Sequence, residues 1–511
     1  MIRRYLGHLT AVAFALVTAA LVFYALRQPA LPYAPRFFVG SPPGVCQWSL
    51  SILSFLVMLG VGWLLHRGKR LEIAFLAAFI PLGLLMMAVM PISAVPDEKA
   101  HLQAAMRLAM GQLGSHAFEI PEDFLNGLER PAEVTLSIQQ ARDFFTRSFS
   151  QATVTVQAQE QVTIYPIAAY LPQALMMRIA LCFTRRAAVV FYSARLGSLL
   201  VAALLFYAAI RRAPAGKGIL FAIACLPITL QEAASASCDG MTIAGVAWAV
   251  AWLLELLASS DAFGRRQKVV WLLLPLGMLV WKIMYIPMLL TAFLLPRERF
   301  AGVPNPRRSK AVWLALGSLV LLAGLGFWFL TSVRLSAGNE GLTVSSLQRL
   351  RETLRNPGPF LRIQWQTLQT NFRGWIDQVF SVFAYLNIEL VPWVRKPMLP
   401  LLLVLSLLDP GMVLLKERGI RTGRLRAVLL CEALLCWFII AGALYIWWTP
   451  YGATLIEGIQ GRYFVPFLPA VLLCLPDLPR FRARKYCLML SLQLVCILSL
   501  ASIANILTVT W

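Results

Sequence analysis

Charge is what this sequence lacks. Of its 511 residues only 14% are Asp, Glu, Lys or Arg, and 59% are hydrophobic. A soluble domain carries about 25% charged residues, so the deficit excludes a water-soluble globular protein and an intrinsically disordered one. Acidic residues are scarcest, 24 against 46 Lys+Arg, for a formal net charge of +22. On a soluble chain that excess would point to nucleic acid. Here the basic residues sit in short clusters between long apolar runs, the pattern of cytoplasmic loops in membrane proteins, and nucleic acid is not read as a partner. None of the nine cysteines forms a C-x-x-C pair, and most lie inside or beside apolar runs. They read as small buried apolar residues, with neither a disulfide framework nor a zinc site. No G-x-x-x-x-G-K-[ST] loop is present to cradle a nucleotide, and no H-E-x-x-H to make a zincin. Low-complexity tracts, clear repeats and the inverted halves of many transporters are also missing.

What the chain has is apolar length. About 20 residues span a bilayer, and runs of that kind lie near 6–26, 46–66, 71–92, 187–210, 217–236, 240–258, 311–331, 397–415, 427–448, 463–478 and 486–509. The first follows Met-Ile-Arg-Arg with no convincing cleavage site and reads as a retained signal-anchor helix. The run 269–296 is too long for a simple span, is interrupted by Lys282 and Pro287, and has basic clusters on both flanks. It reads as two short helices that turn back near Lys282. Placing every basic cluster in the cytoplasm requires about thirteen crossings, an N-terminus inside, and a segment 165–183 that does not cross. Two long segments then lie on the outer side, 93–186 and 332–396. The first shows helical periodicity in 98–112 and 134–150. The expected fold is therefore all-α and polytopic, with a helical first outer loop. Its parts are an N-terminal transmembrane extension (1–70), a main membrane domain (71–478) and a C-terminal helix (479–511).

Polar groups at membrane depth are costly and need a reason. The strongest constellation is Pro96-Asp97-Glu98-Lys99-Ala100-His101, where run 71–92 reaches the outer face. Pro96 suits a first helical turn, Asp97 and His101 are then i,i+4 neighbours, and the helix N-terminus favours an ionised carboxylate. Asp97, Glu98 and His101 are the candidate catalytic residues; helix capping with a surface Asp–His pair is the plainer reading. A second cluster, Gln231-Glu232 to Ser237-Cys238-Asp239, joins two runs on the same side, where Asp239 can equally cap the next helix. In the third, Glu457-Gly458-Ile459-Gln460-Gly461-Arg462-Tyr463, glycines permit close approach and Arg462 can fork onto a phosphate or carboxylate. Lys282 lies at the outward turn, and Arg373-Gly374-Trp375-Ile376-Asp377 on the second outer segment, where an interfacial amphipathic helix is the plainer reading. Outward acids beside outward bases suit a reaction between a phosphate-bearing lipid and an activated acceptor.

These motifs carry a resemblance. Val95-Pro96-Asp97-Glu98-x-x-His101, Tyr165-Pro166, Tyr170-Leu171-Pro172-Gln173, Ala194-Arg195-Leu196, Ser237-x-Asp239, Lys282-x-x-Tyr285, Gly374-Trp375-x-Asp377 and Gln460-Gly461-Arg462-Tyr463 resemble, in order, the motifs of a large bacterial family of polytopic membrane proteins of unknown function. The match runs over about 72–478. That family in turn resembles a distant branch of the GT-C glycosyltransferases. The resemblance implies a multi-pass protein of the bacterial cytoplasmic (inner) membrane, GT-C-like in fold, with its active site on the outer face. It implies inverting transfer of a hexose or pentose from a polyprenyl-phosphate donor to a glycan, lipid or protein acceptor of the cell envelope, within polysaccharide biosynthesis. Asp97 or Glu98 would act as base or hold a metal. Asp97, Glu98 and Asp239 would be the ligands of a divalent ion, Mg²⁺ or Mn²⁺, if one is used. Arg462, with Lys282 or Arg195, would hold the donor phosphate. Gln460, Tyr463, Asp239, Tyr165, Trp375 and Asp377 complete the expected substrate-binding set. Rival readings are a lipid-linked sugar flippase or transporter, and a surface-polysaccharide polymerase or ligase.

Overall fold

The computed structural model describes residues 2–27, 44–68, 70–91, 93–113, 117–124, 138–157, 165–300, 305–330, 346–479 and 481–510. Among these residues nine helices are long and apolar enough to cross a membrane: Gly7–Ala25, Gly44–His66, Leu71–Val89, Ala187–Arg212, Asp239–Ala258, Pro306–Trp328, Pro392–Glu417, Thr422–Trp447 and Arg484–Thr510. The protein is a multi-pass membrane protein. The helix Pro306–Trp328 shows how sequence sets a boundary. Asn305 accepts from the Arg308 N–H at 3.1 Å, and Pro306 takes the first turn, where its missing N–H costs nothing.

The nine do not include the remaining apolar runs, which are broken or short. Run 217–236 divides into Lys217–Ala224 and Pro227–Ala233, with Leu226 extended before the proline. Run 269–296 is an α-helix to Val280. Lys282 then takes a positive φ of 88° and a 3₁₀ helix, Ile283–Leu294, follows around Pro287. Run 463–478 begins as a 3₁₀ turn, Gly461–Phe467, containing Pro466, and continues as Leu468–Leu473. Ile167–Phe183 is helical but shorter than a span. Its neighbours Arg185 and Arg186 belong to the packing of the outer loop: the Arg185 Nε donates to the Phe149 carbonyl at 3.1 Å, and Arg186 bridges Ser148. Non-helical backbone at membrane depth persists only where protein buries it or it lines a cavity. Gly461–Phe467 packs against both Pro227–Ala233 and Ile283–Leu294.

The first outer segment is not wholly helical. Helices Glu98–Ala109 and Ile138–Thr146 match the expected periodicity, but Ala117–Pro121 and Thr153–Gln157 pair as an antiparallel ribbon, Phe118 opposite Val156 and Ile120 opposite Val154. Phe118 and Ile120 turn inward to a local core with Leu102, Phe144, Tyr170 and Phe191. Residues 125–137, 158–164 and 332–345 of the outer segments lie outside the described residues. The elements flanking 71–478 pack on each other: Arg484–Thr510 runs against Ile2–Ala25 and Gly44–His66.

Candidate functional site

The site is built at the end of helix Leu71–Val89. Its last carbonyls lack helical partners, and Arg195, from helix Ala187–Arg212, supplies them. The guanidinium donates to Met87 O at 3.0 Å, Met90 O at 2.9 Å and Pro91 O at 2.9 Å. It also forks onto Glu98, Nε to Oε1 at 2.9 Å and Nη2 to Oε2 at 2.8 Å. Glu98 accepts the Ala236 N–H at 2.9 Å, which ties in the second polar cluster. Both side chains are fully buried. The expected catalytic Glu98 and phosphate-binding Arg195 therefore face each other, sealed from solvent, as the clamp that fixes the loop.

Asp97 goes the other way. Its φ is +62°, so it stands outside the helix that begins at Glu98, and its N–H donates to the Tyr385 hydroxyl at 2.9 Å. That turn separates two neighbouring carboxylates: Asp97 is 36% exposed and meets Arg462 Nη2 at 3.1 Å. The i,i+4 relation with His101 does not form a side-chain pair. His101 Nδ1 bonds the Tyr170 hydroxyl at 2.8 Å, and its ring stacks on Tyr165. Burial pulls the His101 pKa down to about 4 against the opposing pull of Asp239 and Asp97, so the ring is neutral at pH 7. Burial likewise pushes the Tyr165 phenol up, which keeps it a hydroxyl.

Arg462 is the hub. It is 5% exposed; besides Asp97 it lies 3.5 Å from Asp239 Oδ2 and 3.9 Å from Glu232 Oε2, and it donates to Pro96 O at 3.4 Å. Lys282, at the break in its helix, pairs with the other Asp239 oxygen and lies over the rings of Tyr165 (4.8 Å) and Tyr463 (5.7 Å). Tyr285 donates to Tyr463 O at 3.0 Å. Gly461 makes this closeness possible: a Cβ there would sit 2.6 Å from Trp375 O. Gln378 accepts the Gly461 N–H at 2.7 Å, and Trp375 donates to Ile459 O at 3.2 Å. The structure thus brings together Asp97, His101, Tyr165, Asp239, Lys282, Arg462 and Tyr463. Trp375 is buried as a brace under this loop, Asp377 is exposed on the same helix, and Gln460 carries a buried Oε1 without a hydrogen-bond partner.

The proposed metal trio does not assemble. Glu98 is turned onto Arg195, and Asp97 and Asp239 are spent on Arg462 and Lys282. Among the described residues no group of three or more His, Cys, Asp or Glu is placed to hold a metal ion.

Sequence reasoning missed the turn between strands Val382–Phe383 and Ile388–Glu389. It supplies Tyr385 to Asp97, and its Ala384 N–H donates to Gln231 Oε1 at 2.9 Å. No motif marks it, yet the backbone does. Among the described residues, the five non-glycine positions with positive φ are Ser93, Asp97, Lys282, Ala384 and Leu386. All five lie in segments that make or adjoin the site, and strain of this kind gathers where geometry is over-determined.

The sequence pattern of a family described as a predicted membrane protein family, DUF2142, matches residues 80–471, most of the chain. The chain belongs to this family. Every residue of this cluster, from Asp97 to Tyr463, falls inside the matched span. No curated protein and no solved structure matches.

Proposed function

We propose that this DUF2142 protein is an inverting glycosyltransferase of GT-C type, acting at the outer face of the bacterial cytoplasmic membrane. It would move a sugar from a polyprenyl-phosphate donor to a cell-envelope acceptor. The observation that carries the reading is the pairing of a half-open Asp97 with the buried cation Arg462, beside Lys282, where the 3₁₀ segments Ile283–Leu294 and Gly461–Phe467 meet. An apolar groove of about 440 Å³ supports a lipid donor. Ile283, the residue after Lys282, lines it together with Ile286, Pro287, Trp271, Leu321 and Leu435. A hydrocarbon chain in the groove would bring its phosphate to the cations.

In this mechanism Asp97 accepts the proton of the acceptor hydroxyl, whose oxygen forms the new bond to the anomeric carbon. The bond from that carbon to the phosphate oxygen breaks on the opposite face, inverting the centre, and the polyprenyl phosphate leaves as an anion held by Arg462 and Lys282. Phosphate arriving on Arg462 would compete with Asp97 for the guanidinium and free the carboxylate to act as base. His101, neutral and bonded to Tyr170, would orient the acceptor, and Tyr165 and Tyr463 would flank the sugar.

Purified protein in bilayers, given a panel of radiolabelled polyprenyl-phosphate sugars with and without EDTA, tests this. Asp97-dependent consumption of donor with a labelled product is the expected result, and the EDTA arm reads metal dependence. Broken helices also serve transporters. Movement of intact donor across the bilayer without turnover would replace the transferase with a flippase.

A further inference from the structure

Helix Gly358–Phe380 has 23 residues but is not among the helices apolar enough to cross a membrane. It nevertheless exposes large apolar side chains: Leu361 (50%), Trp365 (60%) and Phe372 (54%). At 100° per residue these three fall within about 40° of arc. Arg362 and Arg373 follow at about 100–120°, and Gln366, Thr370 and Asp377 at about 140–180°. The opposite side, with Phe360, Ile363, Gln364, Thr367 and Trp375, is buried. The exposed arc is therefore graded from apolar through cationic to neutral and acidic.

The direction of the helix follows from two contacts with the spanning helix Thr422–Trp447. Near one end Phe360 packs on Phe438 and Tyr445, and further along Trp375 packs on Trp437. Phe360 and Trp375 are about 22 Å apart along their helix, while positions 437 to 445 cover only about 12 Å of theirs. The two helices therefore cross steeply, and Gly358–Phe380 lies across the second half of the spanning helix, over positions 437 to 445 of Thr422–Trp447. Among the described residues Arg362 and Arg373 have no ion pair. Residues 346–380 carry five arginines against Glu352 and Asp377.

We propose that Gly358–Phe380 is an interfacial helix seated on anionic phospholipid. Leu361, Trp365 and Phe372 enter the acyl boundary, and Arg362 and Arg373 bind headgroup phosphates. The same helix holds the Gly461 N–H through Gln378, so this seat fixes the depth of Arg462 relative to the headgroups. The inference does not rest on the glycosyltransferase reading.

Nitroxide labels at Phe372→Cys and Thr370→Cys test it, in full-length protein with Cys182 and Cys431 replaced by Ser. The protein is placed in phosphatidylcholine bilayers with and without phosphatidylglycerol. Collisions with oxygen should dominate at 372, and collisions with a water-soluble nickel chelate at 370. Arg362→Gln with Arg373→Gln should lower the preference of retained lipid for phosphatidylglycerol by about 30-fold. Equal access of the chelate to both positions would place the helix in water. Shielding of both from both reagents would mean a protein partner covers it. Either result overturns the proposal, as does an unchanged lipid preference in the double variant.

Discussion

Replacing Glu98 by Ala should strongly destabilise the protein while leaving Asp97 untouched, and the size of the effect follows from the clamp. Glu98 and Arg195 are both fully buried. Removing the carboxylate strands the guanidinium, which costs about 3–5 kcal/mol when one partner of a buried pair is lost. The Ala236 N–H loses its acceptor as well, adding about 1–3 kcal/mol. Even the lower sum, about 4 kcal/mol, lowers the folded-to-unfolded ratio roughly a thousandfold. Unfolding in mixed micelles titrated with SDS reads this as an earlier midpoint. Glu98→Leu with Arg195→Met should recover the charge cost only. It still takes the Arg195 donors from the Met87 and Met90 carbonyls, so its midpoint should lie between the two. Asp97→Asn, on a half-open side chain, should move the midpoint by less than about 1 kcal/mol. A Glu98→Ala protein as stable as wild type, yet inactive, would refute the clamp and return Glu98 to the chemistry.

Two further outcomes follow from the same geometry. His101 titrates lower when folded, at about 4, than the ordinary 6.5. Its contribution to stability is thus complete above pH 6.5, and about 3 kcal/mol is lost as the pH falls to 4; His101→Gln should flatten that part of a thermal-midpoint profile. Gly461→Ala would drive a Cβ to 2.6 Å from Trp375 O and 2.9 Å from the Val379 nitrogen. It should cost about 1–3 kcal/mol and, by displacing Arg462, reduce turnover even where the protein remains folded; comparing the midpoint with the initial rate separates the two effects.

The apolar runs were legible because a bilayer demands length and composition that nothing else requires. The breaks were partly legible: Pro287 and Lys282 announced one, whereas run 217–236 read as continuous across Pro227. The ribbon was missed because Thr153–Gln157 alternates over only 5 residues and its partner ends in Pro121. Asp97 and Glu98 are indistinguishable as letters; a single positive φ sends one to the open site and the other into the bundle. Tyr385 stood 288 residues from the Asp97 N–H it accepts, and no local pattern carries a contact of that range. Arg462, Lys282 and Asp239, which the structure brings together, stood out in the sequence because ionised groups next to apolar runs are rare enough to need a purpose.

The most direct test of the central claim is the initial rate of sugar transfer by Asp97→Asn in bilayers, at equal amounts of protein with an unchanged unfolding midpoint. The account predicts a fall of about 10²–10⁴-fold, the contribution of a positioned general base. Transfer at the wild-type rate would contradict it, because the carboxylate on Arg462 would then take no part in the chemistry.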